Sequence, residues 1–155
     1  MKRAITSLLI LVLALNIGTP IALATNETSN TVSTINIDNM LCDEMDNLQI
    51  SKDEFKPTTR ATARVEVEVG ANSIIRGSTA FPLEEDELVT INCTFSPRTA
   101  DVDFGLITPQ NTFRYLPGKD GSFRESIQVN VSGKYYFAIR NNTGKTIEVL
   151  GYVYY

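Results

Sequence analysis

From Ala63 to the end of the chain, apolar and polar residues alternate with a period of two. Arg64–Val69 places three valines on one side and three charged residues on the other, the pattern of a half-buried strand. Similar short runs follow, each bounded by Gly, Pro, Asn or Asp, and no connection is long enough for a crossover helix. We therefore expect an all-β fold, a single antiparallel β-sandwich of about eight strands over residues 63–155. The predicted strands are 64–69, 73–81, 88–95, 102–106, 112–116, 122–131, 134–141 and 146–154.

The last two predicted strands suit a hairpin. Asn142–Gly144 fits a three-residue loop with a left-handed glycine, which would pair Asn141 with Lys145. In that register apolar residues meet at each inward position, and a slip by one residue would turn them all outward. The outward positions then bring together three tyrosines and a leucine: Tyr136, Leu150, Tyr152 and Tyr154.

The first 24 residues have the pattern of a signal peptide. Lys2 and Arg3 precede an apolar run, Ala4–Leu15, and Ala22–Ala24 supplies small residues before a cleavage site. The run is shorter than the ~20 residues that a bilayer crossing needs. We therefore expect a secreted, extracellular protein that keeps no stable membrane anchor after the signal is cleaved.

The stretch between the signal peptide and the sandwich is acidic. Residues 25–54 contain seven acidic residues and one lysine, whereas residues 55–155 contain eleven acidic and eleven basic residues. The Asn-, Thr- and Ser-rich start offers too little apolar surface to offset the entropy of ordering. We therefore expect residues 25–62 to be a flexible, largely disordered segment and linker.

One short helix is predicted within this segment, at 39–50. Three apolar residues share a stripe at helical spacing: Leu41, Met45 and Leu48. A helix this short is marginal alone and would have to dock on the sandwich. Docking could join Cys42 on the helix to Cys93, which points inward on a predicted strand, in a disulfide. The alternative is a buried Cys93 and a free Cys42 thiol.

Composition excludes several classes of enzyme. The chain contains no histidine and no tryptophan, so it has no Ser-His-Asp triad, no Cys-His pair and no HExxH zinc site. Asp101 and Asp103 share a strand face and would be the pair for glycosidase chemistry, but acidic pairs on exposed strands usually serve solubility. We expect no enzyme activity and no cofactor. The formal net charge of −4 argues against a nucleic-acid partner.

Two acidic stretches have features of calcium sites. Asp43–Glu54 has the length of an EF-hand loop, but Met45 stands at a ligand position and Leu48 where the loop requires glycine. The turn Glu84–Glu87 gathers carboxylates, and a solvated surface turn explains it equally well. We predict no metal site at 43–54, and calcium binding at Glu84–Glu87 stays open.

Binding is the function that suits such a sandwich. Exposed aromatic rings stack on sugars or anchor protein interfaces, and the outward tyrosines would form such a patch. The patch would be lost if both faces of the sheet are buried, or if the predicted helix stripe covers it. We expect a secreted, non-catalytic module that binds extracellular glycan or protein. The alternative is an exported effector, an antimicrobial or host-directed toxin, with residues 25–60 as a pro-region.

The C-terminal region resembles small secreted β-sandwich proteins of Gram-positive bacteria. The likeness lies in the runs Val102–Ile107, Ser132–Asn141 and Val149–Tyr154. The Gly-x-Tyr and Ile-x-Asn steps of the second run are also similar to the later strands of bacterial pre-peptidase C-terminal domains and of eukaryotic GOLD domains. This resemblance covers residues 63–155. It implies a jelly-roll-like accessory domain that binds polysaccharide or protein without catalysis, and it assigns no ligand residues.

Overall fold

The computed structural model describes residues 32–48, 50 and 62–155. These residues form β-strands and short 3-10 turns, so the predicted all-β sandwich is confirmed. The predicted signal peptide at 1–24 lies outside the described residues, as do residues 25–31, 49 and 51–61 of the segment predicted to be flexible at 25–62.

Five strands form the first sheet. In spatial order they are β1 (Ser33–Asn36), β9 (Ser122–Gln128), β6 (Leu88–Ser96), β11 (Ile147–Tyr154) and β3 (Thr62–Val69). β1 runs parallel to β9, and the other neighbours are antiparallel. β11 lies between β6 and β3, so its outer side chains have neighbours on both sides.

The second sheet is antiparallel throughout. Its main path contains, in spatial order, β2 (Leu41–Glu44), β8 (Thr112–Pro117), β7 (Val102–Ile107), β10 (Gly133–Asn141) and β4 (Ser73–Arg76). A further strand, β5 (Phe81–Leu83), pairs with the start of β10. The single strand predicted at 73–81 is therefore two strands, since the chain leaves the ladder after Gly77.

The inner faces of the two sheets meet in an apolar core. Phe104 of the second sheet stacks on Phe123 of the first, with ring centroids 4.9 Å apart. The inward positions predicted in β6 are confirmed, because the side chains of Val89, Ile91, Cys93 and Phe95 are buried. This alternation fixes the register, because a slip by one residue would expose the whole set.

The last two strands do not pair with each other. β10 lies between β7 and β4 in one sheet, and β11 lies between β6 and β3 in the other. The predicted hairpin register, including the pair of Asn141 with Lys145, is therefore wrong. The alternation within each strand is right, because Phe137 and Val149 are both buried and reach the core from opposite sheets. Alternation cannot distinguish a hairpin within one sheet from a crossover between the two sheets, since each strand buries the same side chains in either arrangement.

Buried Asn141 holds the crossover between the sheets. Its side-chain amide donates hydrogen bonds to the carbonyl oxygens of Val69 at 3.1 Å, Gly70 at 2.8 Å and Lys145 at 2.8 Å. Its Oδ1 accepts from the backbone N–H of Thr143 at 2.9 Å. A fully buried amide is stable only when its polar atoms are satisfied. This side chain therefore ties the end of β10 to the end of β3.

The acidic segment supplies a strand to each sheet, which corrects the predicted boundary at residue 63. Ile37 and Met40 are buried in the main core. Leu41–Glu44 is strand β2, so the helix predicted at 39–50 is wrong there. A lone short helix is marginal in water, whereas β2 adds hydrogen bonds to β8 at a sheet edge.

Candidate functional site

The outer face of the first sheet carries an exposed stripe along β11. Leu150, Tyr152 and Tyr154 point away from the core, with exposed fractions of 50%, 44% and 43%. The rings of the two tyrosines are tilted by 32°, and their centroids lie 6.2 Å apart. We call the surface centred on these three residues the tyrosine face. Its members are three of the four residues predicted to form a binding patch.

Polar side chains border the tyrosine face. Tyr152 lies level with Asn92 on β6 and with Arg64 on β3. Tyr154 lies level with Thr90, whose hydroxyl shares a hydrogen bond of 2.6 Å with Ser126. An apolar centre with a polar border is therefore present on a sheet surface that no described residue covers.

Tyr136, the fourth residue of the predicted patch, lies on the second sheet. It is half-buried, and the guanidinium carbon of Arg76 lies 4.5 Å from its ring centroid. The structure separates it from Tyr152 and Tyr154 because β10 and β11 belong to different sheets.

The outer face of the second sheet is covered by the residues that follow β2. Met45 is buried there, and Leu48 and Ile50 pack against the same apolar cluster, as does Tyr136. We call Met45, Leu48 and Ile50 the cover. Part of the predicted stripe therefore covers a sheet face, but of the predicted binding patch that face holds only Tyr136. The other three members of the patch are not covered by the stripe, and Leu41 is exposed on β2. The sheet residues beneath the cover are Ile74, Ile107, Phe113 and Ala138.

A charge network borders the covered face. The Nε of Arg140 donates to Asp103 at 2.9 Å, and its Nη2 lies 2.8 Å from the same carboxylate. Its Nη1 donates to Asp43 on β2, and the guanidinium lies 4.1 Å from the ring centroid of Tyr115. Asn142 also donates to Asp103, at 2.7 Å. Arg140 thus connects β10 with β2 and β7, and Asp103 has a structural role.

The pKa shifts of Asp43 and Arg140 favour the charged forms of these two side chains. The hydrogen bond from Arg140 is the main reason why the pKa of the Asp43 carboxyl lies below its ordinary value. Burial alone would lower the pKa of the Arg140 guanidinium. The hydrogen bonds that it makes with Asp43, Tyr115 and Asp103 outweigh burial and raise that pKa.

The acidic turn Glu84–Glu87, for which the sequence leaves calcium binding open, is a hydrogen-bonded surface turn. The backbone N–H of Glu84 donates to the Glu87 carboxylate at 2.7 Å, and the Ser132 hydroxyl donates to the Glu84 carboxylate at 2.9 Å. Within residues 32–48, 50 and 62–155, no three acidic, cysteine or histidine side chains are grouped as metal ligands. Asp43, the first residue of the EF-hand-like stretch, binds Arg140.

Cys42 and Cys93 are both free thiols. Cys42 is exposed on the edge strand β2, and Cys93 is buried in the core. Burial raises the pKa of the Cys93 thiol to about 12, which keeps it protonated and unreactive at neutral pH. The structure therefore does not form the candidate disulfide.

Glu125 on β9 is a residue that the sequence analysis missed. Its neighbours on the same side of the strand, Phe123 and Ile127, are buried in the core. Glu125 therefore points to the interior side as well, where alternation calls for an apolar residue. A carboxylate at an inward position of an otherwise regular strand is the signal that could have identified it.

No family model and no curated protein matches the chain. Among solved structures, the chain is similar to that of Aeromonas hydrophila PliG, a periplasmic lysozyme inhibitor of g-type lysozyme. The identity is 11% and the TM-score 0.42, over 79% of this chain and 96% of that chain. A likeness this distant has no bearing on the partner of this chain. In the described part of the chain, no helix has the length and hydrophobicity to cross a membrane.

Proposed function

We propose that the chain is an exported, non-catalytic module that binds another protein through the tyrosine face. The observation that carries the proposal is the contrast between two sheet faces. The apolar residues on the second sheet are covered by Met45, Leu48 and Ile50. Leu150, Tyr152 and Tyr154 stay exposed side by side, and an exposed apolar group rimmed by polar residues is typical of an interaction site.

The chemistry of the tyrosine face favours a protein over a glycan. Tyrosine and arginine are enriched among the residues that dominate protein interfaces, and Arg64 lies level with Tyr152. Leu150 offers no hydrogen bond to a sugar hydroxyl, and the chain has no tryptophan. A glycan partner, the other class that the sequence suggests, is therefore an outcome that the experiment must separate.

The effector alternative, with residues 25–60 as a removable pro-region, finds no support in the packing. Its removal would take away β1 and β2, and with them the buried side chains of Ile37, Met40 and Met45. Burying a methionine or isoleucine side chain is worth about 1.5–3 kcal/mol, so the remaining sandwich would be strongly destabilised. Export itself rests on the signal sequence and stays a prediction, as does the resemblance to secreted sandwich domains.

Photo-crosslinking tests the proposal. A benzoylphenylalanine placed at Tyr152 should crosslink to a protein on the surface of cells incubated with the purified chain. The same group at Leu41, which is exposed on the other sheet, is the matched control and should give no such adduct. With the captured partner purified, Tyr152→Ala should weaken binding at least about 30-fold, as expected for an interface hot spot of ~2 kcal/mol.

Two results would count against this function. An adduct that contains glycan and no protein would assign the face to the other class of partner. Equal crosslinking from positions 152 and 41, or from neither, would remove the tyrosine face as a binding site.

A further inference from the structure

A second candidate site lies between the sheets, at the inward carboxylate of Glu125. Its oxygen Oε2 is shielded from solvent and has no hydrogen-bond donor among the described residues. A shielded carboxylate oxygen without a donor is costly, because burial removes the water that would otherwise hydrate it. Proteins keep such groups mainly where function requires them.

Glu125 is one of the residues that line an open cleft of about 380 Å³ between β9 and β8. This volume lies within the range of ~300–1,000 Å³ that small-ligand pockets have. The terminal torsion of a glutamate is soft, and ligand binding here requires a rotation that turns Oε2 toward the cleft. We call this space the Glu125 cleft.

The lining of the Glu125 cleft combines an acceptor, a donor and an apolar wall. Lys119 brings a donor group, and Ile35, Leu116 and Phe123 bring apolar surface. Ser122 and Arg124 also border the cleft, but they alternate with Phe123 and Glu125 along β9, so their side chains point to the outer side of the sheet. In the described part of the chain, neither Lys119 nor Arg124 forms an ion pair with Glu125. The exposed Lys119 side chain is thus available to a ligand, and the carboxylate becomes available when Oε2 turns toward the cleft.

We propose that the Glu125 cleft binds a single saccharide unit. Each sugar hydroxyl both donates and accepts a hydrogen bond, so one sugar can donate to Glu125 and accept from Lys119. The apolar face of a sugar ring suits the wall around Leu116. A free amino acid also carries a donor and an acceptor group, but its full charges would lose more hydration on entering a partly apolar cleft. This site is separate from the tyrosine face and does not depend on the proposed function.

Nuclear magnetic resonance titration of the purified chain tests the site. The probes are glucose, galactose, mannose and N-acetylglucosamine, with glycine and glutamate as the amino-acid arm. At least one sugar should shift the amide signals of residues 116, 118, 119 and 122–125. Glu125→Gln should weaken that binding about tenfold or more, as the loss of one charge-assisted hydrogen bond would. Glu148→Gln, which alters an exposed carboxylate on the same sheet, should bind like the wild type.

Several results would overturn the proposal. They are shifts with amino acids but with no sugar, shifts outside the cleft, no shift at all, and equal binding by Glu125→Gln and the wild type. Failure here would leave crosslinking from position 152 unaffected, so the two sites are judged separately.

A second variant, Glu125→Leu, tests the site independently through the melting temperature. If Glu125 has no structural partner, Glu125→Leu should have a melting temperature equal to or above that of the wild type, because an unsatisfied carboxylate is replaced by an apolar side chain. A clear fall in melting temperature would mean that the carboxylate stabilises the fold, and it would overturn the proposal.

Discussion

Both outer faces of the sandwich carry apolar and aromatic residues. They differ in whether another part of the described chain covers those residues. On the second sheet, Met45, Leu48 and Ile50 lie over the face that holds Tyr136. On the first sheet, Leu150, Tyr152 and Tyr154 have no such cover among the described residues and are exposed. The comparison separates an apolar face that contributes to stability from one that is available to a partner.

The ion pairs on the two faces also differ in how far their side chains are exposed to solvent. Arg140 and Asp103 form an ion pair whose side chains are only 16% and 6% exposed. Arg64 and Glu66, on the first sheet, form an ion pair whose side chains are 60% and 61% exposed. Breaking a buried pair leaves an uncompensated charge, whereas an exposed pair is hydrated with or without its partner.

The largest expected effect comes from Arg140→Met. The substitution leaves the Asp103 carboxylate buried without its cation, which should reduce the free energy of unfolding by about 3–5 kcal/mol. Urea denaturation followed by circular dichroism measures it. The matched control is Arg64→Met, for which we expect a change of about 0–1 kcal/mol. Equal losses from both variants would contradict the distinction between the two faces.

A smaller loss is expected from Met45→Ala. Met45 is the buried residue of the cover, and its truncation should cost about 2 kcal/mol, near the lower end of the range for buried methionines. Leu150→Ala, the control on the tyrosine face, should change the free energy of unfolding by less than about 0.5 kcal/mol. If Met45→Ala is as stable as the wild type, the cover does not hold the second face.

The acid dependence of stability should reveal how Asp43 holds β2. Because the folded-state pKa of Asp43 is lowered, its contribution is complete above the unfolded-state pKa near ~4 and is lost as the pH falls through the folded-state value. The free energy of unfolding of the wild type should therefore fall more steeply below about pH 4 than that of Asp43→Asn. Parallel pH profiles for the two proteins would show that the Arg140 contact adds no stability.

The smallest effect on stability is expected from substitutions in the tyrosine face, the surface that we propose binds a partner. Tyr152→Ser with Tyr154→Ser removes two exposed rings, so the melting curve should stay close to that of the wild type. The expected change in the free energy of unfolding is within about 0.5 kcal/mol for each substitution. A large destabilisation would mean that the two rings are needed for the fold. It would contradict the interpretation of the tyrosine face as a surface that is free to bind a partner.

The fold class could be predicted because alternation is a local property. Val89, Ile91 and Phe95 are buried as their spacing indicates. The pairing of strands is not local, and Asn142–Gly144 suits a hairpin as well as a crossover. The side-chain hydrogen bonds of Asn141 to Val69 and Gly70 join residues about 70 positions apart in the chain, so no local pattern could reveal them.

The candidate site could be predicted only in part, for the same reason. Leu150, Tyr152 and Tyr154 lie on one strand, so alternation alone places them together. Tyr136 could join them only through the hairpin that does not form. The role of Met45 in covering the second sheet depends on β2 pairing with β8, which the acidic composition of the segment conceals. Glu125 was detectable, because its strand alternates regularly around it.

Tyrosine nitration of the folded chain, mapped by mass spectrometry, tests the contrast between the two faces most directly. The account predicts fast modification of Tyr152 and Tyr154, slow modification of half-buried Tyr136, and almost none of buried Tyr135. In Met45→Ala, Tyr136 should become faster while Tyr152 and Tyr154 stay unchanged. Modification of Tyr136 as fast as that of Tyr152 in the wild type, or protection of both Tyr152 and Tyr154, would contradict the account.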